Sequence, residues 1–176
     1  MDLKRLVKRS NKVAFIQSED GEKYYRMKGF KDLGTNREPK EYTRQYVDMD
    51  EEVTDVTGIN TSMDFAFDQY EGEESQKGII KIIEDELVSD EAKVSIVQVD
   101  FTEEVDDGYK AMERIFTVVP SEAGDTLDAY TYSGSLKAAG EKVDGVATST
   151  DNFKKTATFK KTEDKPETRV KNISTK

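Results

Sequence analysis

The run TSMDFAFDQYEGEESQKGIIKIIEDELVSDEAKVSIVQVDF, residues 61–101, contains two changes of hydrophobic period, and they decide the fold. In TSMDFAFD (61–68), Met63, Phe65 and Phe67 alternate with Ser62, Asp64, Ala66 and Asp68. A period of two marks a half-buried strand, here with an acidic outer face. From Ser75 to Val88 the period lengthens. Ile79, Ile80, Ile82, Ile83 and Leu87 fall within about 160° of arc, an apolar stripe wide enough for a helix to cover a sheet. Glu73, Glu74 and Ser75 stand at its start, where acids suit the macrodipole and Ser can cap. After Ser89-Asp90 the period of two returns, and KVSIVQVDF (93–101) is apolar on both faces, hence a central strand.

Working outward, the same signs recur without a second helix. KVAFIQ (12–17) and KYYRMKGF (23–30) flank Ser18-Glu-Asp-Gly21, an Asp-Gly turn between two apolar runs. Tyr109–Val119 pairs back on 93–101 through the acidic turn that ends Asp107-Gly108, and Pro120 is expected to stop it. Leu127–Leu136, Val143–Thr148 and Asn152–Lys160 read as further strands. Gly134, Gly140 and Gly145 suggest bulges or turns where backbones approach. Residues 31–60 are polar and hold Gly34, Pro39 and Gly58, with Tyr42, Arg44 and Tyr46 at period two. They read as strand-like arms around a long protruding loop, a length that is uncommon inside a compact domain unless functional or disordered. The expected fold is α+β and β-rich: two packed antiparallel sheets, a β-sandwich or partly closed barrel, flanked by one α-helix at about 75–88. Residues 1–11 form an N-terminal arm, 12–160 a single domain and 161–176 a C-terminal tail.

Composition narrows the function. Hydrophobic residues make up 35% and charged residues 36% of the 176, against a globular norm of about 45–50% and 25%, so the core of one copy is thin. No run approaches the length of a membrane span, and the basic N-terminus lacks the apolar stretch of a signal peptide. Cysteine and histidine are both absent. That removes the thiol nucleophile, the usual general base and the commonest metal ligands. No phosphate loop, dinucleotide fingerprint, nucleophile elbow or zinc-protease motif is present. Asp48-Met-Asp50-Glu51-Glu52 starts like a calcium loop but puts Val53 where the turn needs Gly. The net charge of −10 divides unevenly: +5 over residues 1–44, −17 over 45–107 and +2 over 108–176. A middle third of that sign reads as a solvated acidic face, as a surface that must avoid holding a polyanion, or as one that docks a basic end of another copy.

One cluster is more specific. The 93–101/109–119 hairpin is followed by Tyr130-Thr-Tyr132-Ser-Gly134-Ser-Leu136, then Gly140, Val143, Gly145-Val146, a Thr/Ser run and Phe153 to Phe159. This resembles the C-terminal half of phage tail tube proteins, the major tail proteins of long-tailed phages. They end in an aromatic–x–Gly–x–Leu strand, a G-x-x-V-x-G-V-like corner and a last hairpin. The preceding order, over about residues 12–160, is similar too. The resemblance implies a structural subunit with no catalysis, cofactor or metal, whose copies form hexameric rings that stack into a hollow tube. Its partners would be other copies of itself and tape-measure, terminator and baseplate proteins. DNA would be passing cargo and no membrane would be bound. It would reside in the virion tail after assembly in the host cytoplasm. The 31–60 passage matches the family's ring-stacking loop. On this reading Lys4, Arg5, Lys8 and Arg9 of the arm meet Asp48, Asp50, Glu51 and Glu52 of the loop between rings, and Asp64 and Asp68 face the lumen. A small β-barrel module for a ligand or carbohydrate, and a hydrolase working through paired carboxylates, remain the alternatives from other classes.

Overall fold

The structure, a computed structural model, describes residues 6–105, 107–124 and 127–162. Among these residues ten strands and one α-helix follow in the order β1 (Lys12–Gln17), β2 (Tyr24–Arg26), β3 (Phe30–Asp32), β4 (Thr35–Arg44), β5 (Val53–Asp68), α1 (Glu74–Glu84), β6 (Lys93–Val105), β7 (Gly108–Ala123), β8 (Thr131–Ala138), β9 (Val143–Thr148) and β10 (Thr156–Lys161). Every strand pairing is antiparallel. The sheet closes on itself through β7–β6–β1–β2–β10–β9, because β9 returns to pair residues 109–113 of β7. Beyond that point β7 parts from β9 and takes β8 as its neighbour, and β8 carries β5 with β3 and β4 at the far side. The result is a closed six-stranded barrel with extra strands outside it.

Strand β7 belongs to both layers, and its two faces explain the two cores. Tyr109 and Ala111 turn into the barrel with Phe15, Val97, Val99, Ala147 and Ala157, and Phe153 joins them from the β9–β10 turn. Small barrels are filled by side chains in this way. Phe153 packs edge-on against Phe15, Phe101 and Tyr109. It does so from left-handed backbone, φ +59° after Asn152 at +57°, a conformation costing about 1–3 kcal/mol per non-glycine residue. Burying the ring and three amide hydrogen bonds to the Asp151 carboxylate and the Ser149 hydroxyl offset that cost. The opposite face of the barrel wall, Ile16, Ile96, Phe116 and Val118, meets Met63, Phe65 and Phe67 of β5, Tyr132 and Leu136 of β8, and Ile79 and Ile82 of α1. Residues 93–101 are apolar on both faces because each face serves a different core.

The expected helix is shorter than its apolar stripe. Glu73, not Ser75, is the N-cap, and Ser75 is fully buried. At the other end Glu86 takes φ +50°, Glu86 N–H donates to the Ile83 carbonyl at 3.3 Å and Leu87 N–H to the Ile82 carbonyl at 3.0 Å. This is a Schellman closure with Glu where Gly is usual, and it folds Leu87 back onto the core. Pro120 does not stop β7. The strand runs on to Ala123 across a register shift between Pro120 and Glu122. A missing N–H is tolerated there because β6 pairs with β7 only as far as Thr117, and that edge has no partner to receive it. Strand β8 starts at Thr131, not Leu127, since its neighbour β5 ends opposite it at Asp68. KYYRMKGF is split in two. Gly29, at φ +76°, turns the chain from barrel to second sheet, and a Cβ there would lie 2.9 Å from the Tyr70 ring.

Candidate assembly surfaces

Strand β4 and the first half of β5 pair from Thr35↔Met63 to Arg44↔Val53, while β5 meets β8 only from Ser62 onward. The 31–60 passage is therefore a two-stranded ribbon leaving the body of the protein, with residues 45–52 as its turn. At about 3.3 Å per residue it projects roughly 30 Å. A lone ribbon is marginal in water, and this one is braced near its tip. Arg44 bonds Asp55 across the strands at 2.6 Å and the Tyr46 hydroxyl at 2.6 Å. Its guanidinium also lies 5.4 Å from the Tyr42 ring and 5.5 Å from the Tyr46 ring. The hydrogen bond to Asp55, and after it that to Tyr46, raises the Arg44 pKa. Thr43 and Thr54 share a hydrogen bond of 2.9 Å beside this cluster. The period of two at Tyr42, Arg44 and Tyr46 is the sequence trace of this brace.

The ribbon leaves apolar groups in water. Tyr42, Met49, Val56 and Ile59 are at least half exposed, and Val47 is wholly exposed. Asp48, Asp50, Glu51 and Glu52 are exposed around them at the turn. Lys8 and Arg9 are exposed beside a short 3-10 turn at Arg9–Asn11, while Lys4 and Arg5 lie outside the described residues. Within the chain, no ion pair among the described residues joins this arm to the ribbon turn.

The second surface is the outer face of β5 and β8. With Met63, Phe65 and Phe67 buried, Ser62, Asp64, Ala66 and Asp68 face away from the core. They stand opposite Lys137, Ser135, Ser133 and Thr131 of β8 in that order. The two acids differ. Asp64 is exposed and accepts a hydrogen bond from Asn36 Nδ2 at 2.7 Å. Asp68 is only 24% exposed, and its Oδ1 is met by the Lys31 ammonium at 2.5 Å. Strand alternation places both on one face. This difference in surroundings has no local sign, because Lys31 reaches Asp68 from β3, far away in sequence.

The third surface carries no signal in the sequence. An open cleft of about 920 Å³ lies between the barrel wall (β1, β6, β7) and the root of the ribbon (β3, β4). Asp100 on its wall is held near a pKa of about 2. Burial opposes the charge, but the ion pair to Lys12 at 2.7 Å and two hydrogen bonds from Thr102 outweigh it.

No family model and no curated protein matches the chain. Solved structures do. A subunit of the SPP1 tail tube superposes with a TM-score of 0.64 at 16% identity, over 82% of each chain. A chain of the anti-feeding prophage baseplate superposes with a TM-score of 0.53 at 9% identity, over 82% of this chain and 97% of that one. The fold of this chain, a barrel with an attached second sheet, is thus one that it shares with a subunit of the SPP1 tail tube.

Proposed function

We propose that this chain is a structural, non-catalytic subunit of a phage tail tube, forming rings that stack into a hollow conduit for DNA. The second sheet is the observation that carries this reading. One face is sealed by its own core, and the other is bare, small and polar. Its two outer edges, that of β4 and the side of β7 residues 118–123 that faces away from β8, have no strand partner among the described residues. Open edges are a liability that joining neighbouring copies into a closed barrel removes. Such joining also completes the burial that a chain with 35% hydrophobic residues leaves unfinished. The anti-feeding prophage baseplate is a six-fold symmetrised assembly, and six copies is the ring we propose here. Asp64 then faces the lumen with Asp68 beside it, the latter paired with Lys31. The ribbon turn, with Asp48, Asp50, Glu51 and Glu52, and the arm, with Lys4, Arg5, Lys8 and Arg9, supply contacts between rings. The fold likeness supports the tube; ring number, DNA passage and these contacts are the proposal.

Negative-stain electron microscopy of the purified protein tests it. Rings or tubes with a central channel are expected. A protein that remains monomeric at high concentration overturns the reading and favours a small binding module instead.

A further inference from the structure

The ribbon turn and the cleft are complementary in three independent respects. The first is charge. The turn, residues 45–52, carries Asp48, Asp50, Glu51 and Glu52 and no Lys or Arg, Asp55 beside it being already paired with Arg44. In the cleft, Lys12–Asp100, Lys110–Glu103 and Lys142–Asp144 pair off at 2.7, 2.6 and 2.8 Å. Arg9 and Arg37 remain exposed on its wall with no carboxylate partner among the described residues, while Arg26 Nη1 donates to the Phe153 carbonyl at 3.3 Å. The second is apolar content. Val47 and Met49 project from the turn into water, and the cleft has an apolar floor that includes Val13, Met27 and Leu33. The third is size. A cleft of about 920 Å³ lies within the range of about 300–1,000 Å³ that encloses ligands of several side chains' bulk.

We propose that the cleft receives the ribbon turn of a second copy of this chain. Val47 and Met49 seat on the floor, and the turn's carboxylates engage Arg9 and Arg37. The contact cannot form within one copy, because the turn lies roughly 30 Å from the root of the ribbon where the cleft opens. It is therefore heterologous: each copy offers a turn at one end and a cleft at the other. A heterologous contact closes into a ring or propagates along a line according to the rotation between copies, and stacking rings require the second. The chain's own first residues are a poorer occupant, since Lys4 and Arg5 carry the wrong sign. This inference rests on the tube reading and adds the receiving surface to it.

The absence of cysteine from the chain gives a clean test. Met49→Cys protein is mixed with Arg37→Cys protein under mild oxidation, with Lys77→Cys on the exposed face of α1 as the control. Disulfides need Cα atoms within about 7 Å, so a mixed dimer is expected with Arg37→Cys and not with Lys77→Cys. In parallel, Arg9→Glu/Arg37→Glu reverses two exposed cleft charges without touching either core. Tube yield should fall at least about tenfold while single rings persist, and adding Asp50→Lys/Glu51→Lys should restore it, as for a complementary charge pair. Wild-type tube yield from the cleft reversal, or equal cross-linking to the control, overturns the proposal and leaves the tube reading standing. The proposal also falls if the reversal abolishes binding of duplex DNA but spares tubes, for the cleft would then be a phosphate site. Failure of the wild-type protein to form rings or tubes, with no mixed disulfide, removes both.

Discussion

Replacing Gly134 by alanine should destabilise the protein, although alanine is the better strand residue. Gly134 sits in β8 between Tyr132 and Leu136, all three directed to the core, and its register partners are Phe65 on β5 and Pro120 on β7. A Cβ at this position would lie 2.4 Å from the Val119 carbonyl oxygen and 2.8 Å from Cζ of the Phe65 ring. The ring occupies the room that the missing side chain leaves. Moving it disturbs Phe67, whose centroid is 6.0 Å away, and the carbonyl belongs to a paired strand and cannot turn aside. Overpacking of this kind costs about 1–3 kcal/mol. The gain from removing a strand glycine is about 0.5–1 kcal/mol. The 2.4 Å approach to backbone puts the cost in the upper part of its range, about 2–3 kcal/mol, so the clash wins by about 1–2.5 kcal/mol, which for a chain of this length lowers Tm by roughly 2–10 °C. Urea denaturation at a fixed, low protein concentration is the assay, because assembly would add its own stabilisation. The double variant with Phe65→Ala should recover part of the loss in a mutant cycle, since only the ring half of the clash is relieved. An unchanged or raised midpoint for Gly134→Ala would refute the close approach, and full additivity with Phe65→Ala would refute the role of the ring.

Phe67→Ala removes a fully buried ring packed between Phe30, Phe65 and Tyr132, and should cost about 3–5 kcal/mol in denaturant titration. Glu86→Gly relieves left-handed backbone in the helix closure at φ +50° and should stabilise by about 0.5–1 kcal/mol, read as a higher urea midpoint. Asp100 has a folded pKa of about 2, below its unfolded value of about 3.9, so its contribution is complete above pH 4 and fades as pH falls through 2; Asp100→Asn should flatten that part of the stability–pH curve and leave a deficit at pH 7. Asp64→Lys should leave tube assembly intact but slow DNA release from particles, most at low salt, because a cationic lumen holds phosphate; release at the wild-type rate would remove Asp64 from the channel wall.

What the sequence made legible was whatever repeats locally. Lys12–Gln17 and Val143–Thr148 have the bounds that the sequence reading gives them. Phe65 and Phe67 declare a buried face, and the isoleucines of α1 declare a helix. Boundaries set by a partner strand were not legible. Nothing in Leu127–Tyr130 forbids a strand; the missing element is a neighbour, since β5 has already ended. Pro120 is a stop signal by composition and is overridden because the adjacent edge is unpaired. Closure of the barrel depends on β9 reaching residues 109–113, a pairing of segments about thirty residues or more apart that carries no local signature. The cleft is hidden for the same reason: Arg9, Arg26 and Arg37 come from separate elements and meet only in the fold.

The charge partition, by contrast, was plain in the sequence, and the fold changes its meaning. The −17 of residues 45–107 is not one surface. Asp48 to Asp55 gather on the ribbon turn, Asp64 and Asp68 on the outer face of the second sheet, and Glu103 and Glu104 at the far end of β6. A solvated acidic face needs none of this segregation and no exposed Val47 or Met49 at its centre. Nor does solubility require the brace of Arg44 between two tyrosines, which costs side-chain freedom to hold a ribbon straight. A stiff arm with charge and apolar side chains at its end has a use for both only when something of opposite sign, with an apolar floor, receives it. The chain carries such a surface at the root of the same ribbon, and a neighbouring copy can bring the two together.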